Sequence, residues 1–210
     1  MSPIFNFLFE QYSTYETYHI VLEIIAVVFG LLSVLFSKKN NILVYPTGMI
    51  STSIFVYLLI VWGLLGDMMI NAYYFIMSIY GWYVWTRKKG GEQITQISKT
   101  TRKEHLISIA IFLITIVFVF IVYQIFDKWT SWVAYIDTVT TAIFFVGMWL
   151  MAKRKVENWL YWIVGDIISV PLYFYKGFTF TSLQYLIFTI IAIFGYSAWK
   201  KNINKSPQIL

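Results

Sequence analysis

The chain has 210 residues, 59% of them hydrophobic and 12% charged, with a mean hydropathy of +0.69 and a formal net charge of +6. A water-soluble domain of this length needs a far more polar surface, so the natural solvent is a bilayer. Cysteine is absent, which excludes disulfides and thiolate metal sites.

The chain opens with an acidic lead-in. Residues 1–17 carry Glu10 and Glu16 and no basic residue, so they lack the positive n-region of a signal peptide and read as an extracytoplasmic lead-in. About 20 mostly apolar residues span about 30 Å of hydrocarbon. Seven runs meet that length: Tyr18–Phe36, Asn41–Val61, Gly66–Trp85, Leu106–Phe126, Ser131–Ala152, Asn158–Tyr175 and Phe178–Trp199. Backbone groups at that depth bond internally, so all seven are expected to be helices and the fold an all-α membrane protein. Connections are short, except for a polar one over 87–105 that contains Gly90 and Gly91.

The basic residues alternate sides with the spans. Lys38 and Lys39, the group from Arg87 to Lys103, Lys153 to Lys155, and Lys200, Lys201 and Lys205 fall on one side. Only Lys128 and Lys176 of the sixteen Lys and Arg fall on the other. An excess of Lys and Arg marks the cytoplasmic side, which predicts an external N-terminus and a cytoplasmic C-terminus. The positive charge is therefore a topology signal carried by solvated loops, with no nucleic-acid partner implied.

The chain also repeats itself. Gly30, Asn41 and Gly48 recur 117 positions later as Gly147, Asn158 and Gly165, while Gly63, Gly81 and Trp85 recur 114 later as Gly177, Gly195 and Trp199. This predicts a three-residue deletion between Gly165 and Gly177. It also predicts two parallel three-helix units, 18–86 and 128–200, joined by a linker helix at 106–127 and followed by a tail at 201–210. Such parallel repeats are a transporter architecture with the substrate between the halves.

Inside the spans every ionisable group is acidic: Glu23, Asp67, Asp137 and Asp166. A charge at depth costs a few kcal/mol or more and faces a cavity or a partner. Asp166 lies near the middle of the sixth span, where Trp159, Trp162, Asp166, Ser169 and Tyr173 share one helical face. The alternative for the tryptophans is an interfacial belt, which suits Trp159 better than Trp162, a turn deeper. As a ligand face, aromatics with a carboxylate suit a flat cation. The third span presents Asp67, Asn71, Tyr74 and Ser78 at helical spacing, and the seventh carries Gln184 and, one turn on, Phe188. Asn71 and Gln184 can meet ribose hydroxyls or a carboxamide, or bond between helices.

Three stretches, GLLGDMMINAYYFIMSIYGWYVW, NWLYWIVGDIISVPLYFYKG and AIFGYSAW, resemble the PnuC family of vitamin-precursor transporters. The family's N-W-x-x-W element stands as Asn158, Trp159 and Trp162, and the resemblance runs from about Glu23 to Trp199. It implies a SWEET-like arrangement of three, one and three helices, usually a homotrimer in the bacterial inner membrane. It also implies facilitated diffusion of nicotinamide riboside, which a cytoplasmic kinase then phosphorylates for NAD synthesis, with no bound cofactor. Gln184 is not matched by these motifs. The riboside's pyridinium, carboxamide and ribose suit the Trp, Asp and amide residues just named. Its phosphorylated form would need a cation, and none falls within the spans. Thiamine, another aromatic cation, would suit the same residues. An aspartyl enzyme would need Asp67 and Asp166 close together, and His19 and His105 lie on opposite sides, which excludes a shared metal site.

Overall fold

The computed structural model describes residues 16–63, 65–127, 129, 131–175 and 179–205. The expectations for residues 1–15, Lys128, Lys176 and Gly177 lie outside these. Among the described residues seven helices follow in order: α1 (Thr17–Lys38), α2 (Val44–Val61), α3 (Leu65–Thr86), α4 (Arg102–Ile125), α5 (Val133–Ala152), α6 (Asn158–Tyr175) and α7 (Thr179–Lys205). Between α3 and α4 lies a two-stranded hairpin, β1 (Lys88–Lys89) and β2 (Glu92–Gln93). Gly90 and Gly91 make its turn at φ of 61° and 87°, a backbone that glycine adopts without strain.

The helices sit close to the expected spans, with three instructive shifts at their ends. The Asn41 carboxamide oxygen accepts from the Leu43 N–H, so the turn before α2 holds that residue outside the helix. α4 begins four residues early because Thr101 and Glu104 form a capping box. α7 continues past Trp199 through Lys205.

Five helices are long and apolar enough to cross a membrane: α1, α2, α4, α5 and α7 over Ser182–Ile203. α3 and α6 fall short of that hydropathy because they carry Asp67, Asn71, Asn158 and Asp166 among several Tyr and Trp. Helices α1, α2, α3, α5, α6 and α7 pack in that order, and α7 closes back on α1, giving a circuit of six. α4 rests mainly on α5, and its face of Leu106, Ile109, Leu113, Ile114 and Val117 is exposed, as lipid contact requires.

The same turn appears twice at a constant separation. Asn40 N–H donates to Ser37 O and Arg154 N–H to Met151 O, both at 2.9 Å; Asn41 N–H donates to Phe36 O and Lys155 N–H to Leu150 O, again at 2.9 Å. Asn40 and Arg154 both lie in the left-handed region, at φ of 51° and 53°. These are helix-ending turns of the Schellman kind, and each equivalent pair is 114 residues apart. The register of 117 drawn from Gly30, Asn41 and Gly48 is therefore overturned, and with it the deletion before Gly177.

Close contacts show why the glycines mislead. A Cβ at Gly30 would meet Ser51 Oγ at 3.1 Å, and one at Gly165 would run into the Phe144 ring; 30 and 144 correspond at 114, as do 51 and 165. Likewise a Cβ at Gly48 would meet Ser33 Oγ at 3.1 Å, and one at Gly147 the Trp162 ring at 3.4 Å. In each case the glycine has moved to the other member of the contacting pair. Aligning glycine with glycine thus pairs the right helices but slips their register by three residues.

Candidate functional site: an aromatic cage around Asp166

α6 runs unbroken through Pro171, and Asp166 lies on its buried side, only 2% exposed. Four residues earlier and on the same face, Trp162 stacks on Phe144 of α5, with ring centres 5.5 Å apart and planes at 27°. Phe144 can lie that close because Gly165 offers no side chain, and its ring also runs parallel to Tyr185 of α7, at 6.0 Å and 8°. Tyr185 in turn meets Tyr173 at 5.0 Å and Phe188 at 6.4 Å.

α3 closes the cage from the other side. The Tyr73 ring stacks on Phe145 at 3.7 Å and 9°, while its hydroxyl donates to the Phe145 carbonyl at 3.1 Å. That pair of contacts fixes Tyr74, whose ring lies 6.3 Å from Trp162 and 6.2 Å from Phe145. Asp166 lies within electrostatic reach of both Tyr74 and Tyr185. Among the described residues no Lys, Arg or His pairs with it. One turn on, the Ser169 hydroxyl is buried without a partner. The arrangement sets a buried carboxylate beside a cluster of stacked aromatics, chemistry that favours a flat cation over a neutral or anionic guest.

Of the residues picked from the sequence, the structure brings together Tyr74, Trp162 and Asp166, with Phe188 joined through Tyr185. Half-buried Gln184 precedes Tyr185 on α7. Asp67 is exposed at the far end of α3, within electrostatic reach of Tyr173 and Tyr185, and its carbonyl accepts the Asn71 amide at 3.0 Å. Asn71 therefore spends a donor within its own helix. The buried Asn158 amide donates to the Lys155 carbonyl in the turn entering α6.

Trp159 is not an interfacial belt residue. It is 1% exposed, packs edge-on to Trp199 at 5.6 Å, and lies over Gly195, where a Cβ would come within 2.7 Å of it. The sequence reading passed over Phe144, Phe145, Tyr73 and Tyr185. The available signal was the run of paired aromatics, Phe144–Phe145 beside Tyr73–Tyr74, each helix offering two adjacent rings.

A second departure concerns the basic end, where the Lys and Arg clusters meet. Arg154 is not a solvated loop cation but 2% exposed. Its guanidinium lies 4.1 Å over the Trp85 ring and donates to Gln93 Oε1 at 2.6 Å and to the Thr95 carbonyl. Burial draws its pKa below the usual arginine value, an effect the nearby Tyr45 opposes. The 87–105 connection is likewise structured. Ser98 pairs with the α5–α6 turn through Arg154 O and the Val156 N–H, Glu157 accepts from Thr100, and Lys155 pairs with Glu104 at 3.0 Å.

A multi-pass helical membrane protein with an enclosed polar-aromatic site has the makings of a transporter, and known proteins agree. Residues 20–201 match the family described as nicotinamide mononucleotide transporter, and the chain belongs to that family. It is 25% identical over 201 residues to the nicotinamide riboside transporter PnuC of Escherichia coli K12, covering 85% of this chain and 84% of that one. It is 22% identical over 200 residues to the riboflavin/roseoflavin transporter RibM of Streptomyces davaonensis, covering 90% and 89%. A crystal structure of the vitamin B3 transporter PnuC superposes with a TM-score of 0.66 at 25% identity, covering 88% of this chain and 82% of that one. Membership in a transporter family sets the aspartyl-enzyme alternative aside.

Proposed function

We propose that the protein takes up nicotinamide riboside by facilitated diffusion across a bacterial inner membrane, with a cytoplasmic kinase trapping the product for NAD synthesis. The observation that carries this is Asp166: a buried carboxylate within electrostatic reach of Tyr74 and Tyr185, with Trp162 on its own helical face, that a pyridinium cation would neutralise. The relatives named for nicotinamide riboside support the same substrate. The recurrence at 114 and the circuit of six helices support a SWEET-like arrangement of three, one and three; the homotrimer belongs to the reading through the family resemblance alone.

Counterflow in liposomes with labelled nicotinamide riboside, thiamine and riboflavin tests the substrate. The riboside is expected to exchange fastest. Exchange of thiamine or riboflavin alone would reassign it. The mononucleotide is expected to compete poorly, because Arg154, the basic side chain buried at the basic end, is already engaged by Gln93, Thr95 and Trp85. Equal competition by mononucleotide and riboside, with phosphatase excluded, would refute that expectation.

The topology has its own test. The basic clusters at the ends of α1, α3, α5 and α7 support a cytoplasmic C-terminus. A reporter that fluoresces only in the cytoplasm, fused after Leu210, is expected to light; an inserted but dark fusion would reverse the orientation.

A further inference from the structure

At the basic end, two indoles bond across the circuit in opposite directions. Trp85 of α3 donates to the Ala152 carbonyl at the end of α5, at 3.2 Å, and Trp199 of α7 donates to the Ser37 carbonyl at the end of α1, at 3.0 Å. Trp85 and Trp199 are themselves 114 residues apart, so the two bonds are near-equivalents. They cross the α3–α5 and α7–α1 interfaces, where the first three helices meet the last three. The two rings lie 6.0 Å apart, Tyr45 packs on Trp85 at 5.1 Å and Trp159 on Trp199 at 5.6 Å. All four rings are nearly inaccessible.

One side of this plug carries an addition. Arg154 covers Trp85 and is tied by Gln93 and Thr95 to the β1–β2 loop, whereas its counterpart 114 residues earlier is Asn40, too short to make such a tie.

Resting on the transporter reading and its topology, we propose that Trp85 and Trp199 form the cytoplasmic closure of the transport path, and that the hairpin loop strengthens it through Arg154. A ligand in the Asp166 cage leaves for the cytoplasm where the two sets of three helices part at their basic ends. That parting breaks both indole bonds and lifts Trp85 from beneath Arg154. Trp85 and Trp199 are thus gating residues, and Arg154 positions one of them.

Because the chain has no cysteine, a single reporter reads the closure without background. Met148, buried in the same cluster one turn inward from Ala152, becomes the probe as Met148→Cys. Labelling by a membrane-impermeant maleimide is followed from the cytoplasmic face of inside-out vesicles. Trp85→Phe and Trp199→Phe keep a ring but lose the N–H, and each is expected to speed labelling about five-fold, as loss of one hydrogen bond implies. Arg154→Gln is expected to speed it as well. Gln93→Ala, which leaves the arginine in place without its side-chain partner, is the gentler variant should Arg154→Gln fold poorly.

Trp82→Phe, on the exposed side of the same helix, is expected to label at the parent rate. Parent-rate labelling in both Trp85→Phe and Trp199→Phe, or an equal rise in Trp82→Phe, would overturn the closure. A parent rate in both Arg154→Gln and Gln93→Ala would remove the loop from it. Labelling needs no substrate, so an unchanged rate beside normal vitamin exchange discards the closure alone. Faster labelling in a protein that exchanges no vitamin discards the transport reading alone.

Discussion

Replacing Trp162 with Ala is expected to weaken binding of nicotinamide riboside about ten-fold, the equivalent of roughly 1–2 kcal/mol of cation–π attraction. The ring stands between Phe144 and Tyr74 on the same helical face as Asp166, so it can lie against a guest drawn to that carboxylate. Trp162→Phe should lose less, because it keeps a π-face of weaker quadrupole. Asp166→Asn separates electrostatics from packing. It is expected to weaken the cationic riboside more than an uncharged dihydropyridine riboside, whereas a damaged fold would penalise both alike. Titration calorimetry on purified protein reads each case. Wild-type affinity in both Trp162→Ala and Asp166→Asn, in correctly inserted protein, would sink the cage as the binding site.

The second large effect is expected at a residue that touches no ligand. A methyl group at Gly165 would occupy the space of the Phe144 ring, and overpacking of this kind costs about 1–3 kcal/mol. Phe144 cannot move alone, since it stacks against both Trp162 and Tyr185. Gly165→Ala is thus expected to lower the melting temperature and to weaken riboside binding as much as Trp162→Ala does. Adding Phe144→Leu, which makes room for the methyl, should restore the stability. Gly81→Ala provides the comparison: its methyl would strike the Tyr45 ring, at the basic end rather than in the cage. It should cost stability with little change in affinity. Equal affinity losses at the two glycines would mean general loosening, not displacement of Phe144.

The helices and the two residues at the centre of the candidate site, Asp166 and Trp162, are legible in the sequence for a simple reason. An apolar run long enough to cross lipid has few alternatives to a helix, and a charge inside one, such as Asp166, must face something other than lipid. Trp162 was legible because it shares that charge's helical face. Phe144 was not, since a phenylalanine in an apolar helix looks the same whether it faces lipid or a ligand cage. The Phe144–Phe145 pair marks an aromatic stretch, but only Gly165 shows where Phe144 packs, and it acquires that meaning once the two helices are side by side. Arg154 was misread for a related reason: a basic residue between two spans is ordinarily solvated, and its burial depends on a hairpin that returns Gln93 and Thr95 to cover it. The repeat was visible, but its register was hidden by small and large residues changing places across each contact.

The modest hydropathy of α3 bears on how the chain enters the membrane during synthesis. A segment holding Asp67 and Asn71 partitions from the translocon into lipid less readily than α1 or α2, since each polar group must shed water with nothing yet to replace it. The helix that clasps it through Tyr73 and Trp85 is α5, which leaves the ribosome only after the hairpin and α4 have been made. Until then α3 has α2 as its apolar neighbour. The nascent chain must therefore hold α3 at the lateral gate, or let it return there, until α5 arrives. The polarity that α3 keeps in the finished protein thus sets the order of events at its biogenesis.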